Sequence, residues 1–261
     1  MGKIIAVTNQ KGGVGKTTSS INIAASLAAT RRKILLVDLD PQGNASSGCG
    51  IEKDDLQSHM LDVLLGEVSA TDAIMKVEQS GFDILPTCSE LAAAEAHLLE
   101  MPDKESRLKI ALQPVVEKYD YVFIDCPPSL SILTVNGLVA AKSVMIPMQC
   151  EYYALEGLSA LLQTIEQITE YANPELKIEG ILRTMYDPRN RLALEVSAKL
   201  HEHFEEKVYR TAIPRNVRLA EAPSYGLPAL LYDKLSAGAK AYLALAGEMI
   251  RRDEVAAGSA A

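Results

Sequence analysis

Six short apolar runs recur along the chain, at Ile4–Thr8, Ile34–Asp38, Phe82–Pro86, Tyr121–Asp125, Ser143–Pro147 and Ile178–Thr184. Each has strand length, is rich in Val, Ile and Leu, and alternates little between apolar and polar, as a strand covered on both faces does. Between them the apolar positions fall at helical spacing. Helices are predicted over Thr17–Ala29, Leu91–Glu100, Lys104–Lys118, Ser131–Ala140, Leu155–Tyr171, Leu192–Phe204 and Ala237–Arg252. This alternation predicts an α/β fold with one mostly parallel, twisted sheet and helices on both of its faces. No Pro-, Gly- or Ser-rich linker and no internal repeat divides the chain. Residues 1–252 therefore read as a single domain, and 253–261, which end in small uncharged residues, as a disordered tail. Ligands of such sheets sit beyond the carboxyl ends of the strands, so the loops there are the place to look for chemistry.

The first of these loops reads Gln10-Lys11-Gly12-Gly13-Val14-Gly15-Lys16-Thr17-Thr18 and lies between a strand and a helix. That context is the one a P-loop requires. Glycines without Cβ let successive backbone N–H groups converge on phosphate oxygens, and the helix N-terminus adds positive partial charge. Residues Gly12 to Thr18 would form the cradle for ATP, with Lys16 reaching the β- and γ-phosphates and the Thr17 hydroxyl ligating Mg²⁺. The generic motif places a glycine where Gln10 stands, and a second lysine, Lys11, follows it. The run Tyr121–Asp125 ends four apolar residues in a carboxylate, the form of a Walker B strand, so Asp125 is a second candidate for the metal. Two prolines, Pro127 and Pro128, stop that strand and stiffen its loop. The run ending at Asp38 continues Leu39-Asp40-Pro41-Gln42-Gly43-Asn44. Asp40 can cap the turn before Pro41 or place a water for reaction.

Composition narrows the partners. The chain has 261 residues, 26 Lys plus Arg against 34 Asp plus Glu, a net charge of −8 and 48% hydrophobic residues. Only 5% of residues are aromatic and none is Trp, which leaves no obvious platform for stacking single-stranded bases. Overall acidity disfavours a generally polycationic binder. Yet residues 175–252 carry 13 basic against 10 acidic side chains while the remainder carries 13 against 24, so basic charge is displaced toward the C-terminal third. Arg183, Arg189, Arg191, Lys199, Arg210, Arg215 and Arg218 contribute to it, and Arg189 and Arg191 lie just before a predicted helix. Guanidinium groups so placed can hold phosphates without reading bases. The four cysteines form no C-x-x-C pair, no leader is visible, and no apolar stretch is long enough to span a membrane. Met1-Gly2 lacks the Ser or Thr that myristoylation wants where Ala6 stands. A soluble protein of a reducing compartment is expected. His201 and His203 do not share a helix face, and His59 and His97 are isolated, so no histidine metal site is expected.

The segment Lys11-Gly12-Gly13-Val14-Gly15-Lys16-Thr17 resembles the deviant Walker A loop, K-G-G-x-G-K-[ST]. Val7–Thr18, Leu36–Ser46, Phe123–Leu130, Glu151–Leu158, Thr184–Leu192 and Ala212–Pro223 narrow the resemblance to the ParA/Soj family of chromosome and plasmid partition ATPases. It implies a P-loop NTPase that uses ATP and Mg²⁺, forms a face-to-face homodimer when ATP is bound, and then binds double-stranded DNA without sequence preference. Hydrolysis would be slow until a ParB-type centromere-binding partner stimulates it. The protein would be cytoplasmic and nucleoid-associated, in a bacterium. By the same resemblance Lys11 contacts the nucleotide of the facing subunit and Asp40 orients the attacking water, so Lys11, Lys16 and Asp40 form the catalytic set. Asp38 joins Thr17 and Asp125 near the metal, Glu151–Leu158 belongs to the dimer interface, and Pro214 and Asn216 flank the adenine. Arg189 and Arg218 lead the candidates for DNA, followed by Arg215, Arg191 and Lys199. Three alternatives remain within the same fold: a MinD-like ATPase acting at a membrane, a ParA-like ATPase positioning another cargo, and a protein bridging an iron–sulfur cluster through Cys88 and Cys126. A nucleotide-binding scaffold without turnover is a fourth; Lys11 and Asp40 speak against it. The Ala-rich segment Ala237–Arg252 has few bulky membrane anchors, and no membrane partner is expected.

Overall fold

Runs that hardly alternate in sequence do alternate in space, because two different helical layers cover them. The computed structural model describes residues 2–52 and 56–258. Strands β1 (Lys3–Val7), β2 (Ile34–Asp38), β3 (Met75–Val77), β4 (Phe82–Leu85), β5 (Tyr121–Asp125), β6 (Ser143–Gln149) and β7 (Lys177–Thr184) form one sheet in the order β3-β4-β2-β5-β1-β6-β7. Every neighbouring pair is parallel except β3 with β4. Ile4, Ala6, Leu35, Val37, Val122 and Ile124 enter one core, while Ile5, Val7, Ile34, Leu36, Tyr121 and Phe123 enter the other. Period-two geometry is thus intact, and both of its faces are apolar.

The helices in chain order are α1 (Lys16–Ala28), α2 (Asn44–Gly48), α3 (Met60–Leu65), α4 (Ala70–Ala73), α5 (Leu91–Leu98), α6 (Arg107–Leu112), α7 (Ile132–Ala140), α8 (Ala154–Tyr171), α9 (Arg191–Phe204), α10 (Val217–Glu221), α11 (Ala229–Tyr232) and α12 (Ala237–Gly258). The predicted helix over Lys104–Lys118 is interrupted: α6 ends at Leu112 and a 3₁₀ turn at Val116–Lys118 resumes after Pro114, which has no N–H to continue the ladder. β3 escaped prediction because three residues on an antiparallel edge are too few to show a period. The expected tail from residue 253 is corrected as far as Gly258, because α12 continues that far. Asp253 ties it down, accepting from Lys3 Nζ at 2.6 Å and from the Tyr121 hydroxyl at 2.5 Å. Residues 259–261 lie outside the described residues.

One feature of the register matters most for function. β5 lies between β1 and β2, and the ladder aligns Val7, Asp125 and Asp38 across the three strands. Three loops carrying candidate chemistry therefore leave the sheet side by side at its carboxyl edge.

Candidate nucleotide site and basic face

The loop between β1 and α1 is an open cradle. Gly13 and Gly15 adopt left-handed conformations, φ +73° and +89°, which a side chain would strain. A Cβ added at Gly12 or Gly13 would meet nothing within 4 Å, so that flank faces open space. Among the described residues no backbone carbonyl accepts the N–H groups of Gly13 to Thr18. These donors at the start of a helix are what an anion would use. Lys16 is buried, and its Nζ donates to the Lys11 carbonyl at 3.2 Å. Burial pulls its pKa down, opposed by the charges of Asp125 and Asp40.

Beneath the loop lie the carboxylates. Asp125 is fully buried, and Ser20 Oγ donates to its Oδ1 at 2.8 Å. Among the described residues its Oδ2 has no hydrogen-bond partner. Burial, aided by the neighbouring charge of Asp38, raises the Asp125 pKa to about 7, while the Thr17 and Ser20 hydroxyls oppose the rise. A buried carboxylate oxygen without a partner, beside a threonine hydroxyl, suits a divalent cation held by oxygen ligands.

Asp38 differs. Its Oδ2 accepts from the backbone N–H and the hydroxyl of Ser46, at 2.8 and 2.7 Å, and its Oδ1 from the Asp40 N–H at 3.3 Å. Burial still lifts its pKa to about 6. Both of its oxygens are engaged, and through them Asp38 anchors α2 and the Asp40 turn. Asp40 makes the turn that its sequence suggested, Oδ1 accepting from the Gln42 N–H at 3.0 Å. Its Oδ2 has no hydrogen-bond partner among the described residues, so capping leaves one oxygen for a second role.

Beside the loop a cleft of 370 Å³ is walled by Gly15, Thr18, Met185, Pro214, Asn216 and Val217, among others. The segment carrying Pro214 runs alongside the end of β7: Ile213 N donates to the Arg183 carbonyl at 2.8 Å, and Tyr186 N to the Ile213 carbonyl at 2.9 Å. Asn216 caps α10 by accepting from the Arg218 N–H at 3.1 Å. Pro214 and Asn216 thus stand next to Gly15 and Thr18, although some 200 residues separate them in sequence. Met185, just past the end of β7, and Val217, the first residue of α10, had no sequence signal, since an isolated apolar residue looks like core.

The family profile described as an AAA domain matches residues 2–178. The sporulation initiation inhibitor protein Soj of Bacillus subtilis is 53% identical over 249 residues, covering 95% of this chain and 98% of Soj. The chromosome partitioning protein ParA of Myxococcus xanthus is 49% identical, covering 97% and 89%. The chain belongs to the ParA/Soj family. It is a partition ATPase. Among solved structures, a Mycobacterium smegmatis protein described as cobyrinic acid a,c-diamide synthase, with bound ADP and magnesium, superposes with a TM-score of 0.85 at 38% identity, covering 97% of this chain and 96% of its own.

In this partition ATPase the ammonium of the loop's second lysine, Lys11, is engaged outside the loop. It is half exposed and pairs with Glu151, just before the exposed Tyr152 and Tyr153, whose rings meet edge to face at 5.0 Å. The candidate basic residues Arg189, Arg191, Lys199, Arg215 and Arg218 are all exposed. Three of them are engaged by acids: Arg189 by Asp187 in a two-point contact at 2.8 and 2.9 Å, Arg191 by Glu195 at 2.9 Å, and Arg218 by Glu221 at 2.7 Å. The Arg189 hydrogen bonds pull the Asp187 pKa down to about 2. Arg183 leaves the basic face. It is buried, donating to Ser197 Oγ and to the carbonyls of Tyr209 and Arg210 at 2.9 to 3.0 Å.

Two alternatives meet opposing observations. Cys88 and Cys126 are buried; burial pushes the Cys88 thiol up to about 11 and the Cys126 thiol higher still, which disfavours thiolate ligation. Cys126 also packs against Gly137, where an added Cβ would stand 2.9 Å from its sulfur. Among the described residues no helix is long and apolar enough to cross a membrane. α12 turns Ala239, Tyr242, Leu245, Ala246 and Met249 into the core against α1, so this helix is committed to the fold.

Proposed function

We propose that this chain is a nucleotide-gated DNA clamp: ATP joins two copies, the pair holds duplex DNA without reading its sequence, and hydrolysis releases it. Lys11 carries this reading. Its half-exposed ammonium is paired with Glu151, next in sequence to the exposed Tyr152 and Tyr153, where it can serve a nucleotide bound by a second copy. Lys16 and the free N–H groups of the loop bind the phosphates, and Pro214 and Asn216 border the base. Thr17 and Asp125 hold the metal, through the hydroxyl and the unpartnered Oδ2. Mg²⁺, when bound, neutralises charge on the β- and γ-phosphates. Asp40 orients the attacking water with Oδ2. Rate comes from placement and from charge stabilisation, with Lys11 acting in trans as an arginine finger does.

Arg189, Arg218, Arg215, Arg191 and Lys199 contact the phosphate backbone, and pairing two subunits doubles that set. Turnover stays low until a ParB-type partner completes the site, and the cargo is a chromosome or plasmid. The relatives support this reading, being named for chromosome partitioning. The deciding experiment is an equilibrium titration of duplex DNA with ATP, ADP or no nucleotide. Tight, salt-sensitive and sequence-independent binding is expected with ATP alone; equal binding in all three conditions removes the proposal.

A further inference from the structure

The tip of β7 touches the phosphate loop at one point that the site described above does not use. Thr184, the last residue of that strand, is buried, and its Oγ1 donates to the Val14 carbonyl at 2.7 Å. Val14 sits between the two left-handed glycines, Gly13 and Gly15. Its carbonyl and the Gly15 N–H belong to one peptide plane, and in a trans peptide they point to opposite sides. A hydroxyl that draws the carbonyl outward therefore turns the Gly15 N–H inward, to the side where the loop's unpaired donors gather. Glycine at φ +89° has soft torsions and no side chain to steer this peptide by itself.

Thr184 also stands close behind Gly15: a Cβ added there would lie 3.7 Å from the Thr184 methyl carbon. Both residues line the cleft. The post on which the threonine stands is rigid, because the adjacent Arg183 is fixed by Ser197 and by two carbonyls of the 209–210 segment. The same strand end carries the base-side wall, through the bonds of Ile213 to Arg183 and of Tyr186 to Ile213.

We infer that Thr184 is a positioning residue for nucleotide binding, its hydroxyl setting the Val14–Gly15 peptide so that the Gly15 N–H is aimed at a phosphate oxygen. This rests on the reading that the loop takes the nucleotide phosphates. Losing the hydroxyl leaves a buried carbonyl without its donor and lets the peptide rotate, and a net hydrogen bond of this kind corresponds to about a tenfold change in affinity.

The test is calorimetric titration of the full chain with MgADP. Thr184→Val keeps the shape and removes the donor; about tenfold weaker binding is expected. Thr184→Ser keeps the donor and removes the methyl; affinity within about twofold of the native chain is expected. If Thr184→Val does not fold, Thr184→Ala against Thr184→Ser carries the same contrast. Native affinity in the variant lacking the hydroxyl overturns the inference. So does a serine variant as weak as the valine one, because packing rather than the hydrogen bond would then be responsible. Lys16→Ala, measured alongside, separates the two levels. If it binds MgADP normally, the loop is not the nucleotide site and the inference falls with that reading; if it loses binding while Thr184→Val keeps it, the inference alone falls.

Discussion

The nucleotide edge and the basic face are built by opposite means. At the carboxyl edge of the sheet, Lys16, Asp38, Asp40 and Asp125 are all buried, and parallel register brings three of their loops together. On the basic face the candidate arginines are exposed, and Arg189, Arg191 and Arg218 are held by neighbouring acids. The first region is prepared before any ligand arrives, which is how preorganised electrostatics acts. The second has individually weak groups, since exposed ion pairs contribute little and salt screens them. The proposed switch would use this contrast: the nucleotide site would supply the energy, and a weak charged face would become useful only when two copies align it.

Substitutions can break that contrast from either end. The largest effect is expected at Asp40. Asp40→Ala should lower stimulated ATP turnover by about 100-fold or more while leaving MgATP binding intact, and steady-state phosphate release together with nucleotide affinity checks both halves. Turnover near the native rate would remove Asp40 from the reaction.

Asp125 should show the cost of a prepared site. Its folded pKa is raised, so the folded chain holds a proton that the unfolded chain has released above its own pKa of about 4. The nucleotide-free chain therefore loses stability as pH climbs from about 4 through about 7, by on the order of a few kcal/mol from this group, and levels off above. Asp125→Asn should flatten that decline and raise the melting temperature at pH 8 while ATPase activity collapses. Denaturation profiles of the two chains against pH decide it; parallel profiles would place the cost elsewhere.

Smaller effects belong to the face. Arg189→Glu should weaken ATP-dependent DNA binding by about tenfold and reduce the salt slope by roughly one to two, with dimerisation unchanged. Asp187→Asn, which frees Arg189 from its two-point contact, should tighten DNA binding by about twofold. Salt titrations of both variants test whether this acid restrains the face.

The two regions also differed in how far the sequence disclosed them. Strand ends and the glycine-lysine loop were readable because parallel sheets bury both faces, and because an anion cradle needs glycine and lysine at fixed spacing. Asp38 and Asp40, two residues apart, are told apart in the sequence only by the family resemblance, and the contacts of Ser46 and Gln42 add which oxygens the fold engages. Ser19, Ser20 and Asn22, which had no role assigned from sequence, are all buried, bonded to Tyr242, Asp125 and the Ala229 N–H. Arg183 is buried in the same way. Polar side chains with distant partners carry no local signal, because their partners are chosen by the fold. The short helices α2, α10 and α11 are equally mute, being four or five residues long.

Central to the whole account is that ATP assembles two chains and that Lys11 works across the gap. The most direct test is the sedimentation mass of Asp40→Ala with MgATP, with and without the added change Lys11→Ala. A twofold mass with Lys11 present and a single-chain mass without it is the expected result. A single-chain mass in both, at concentrations where MgATP saturates the site, would contradict it.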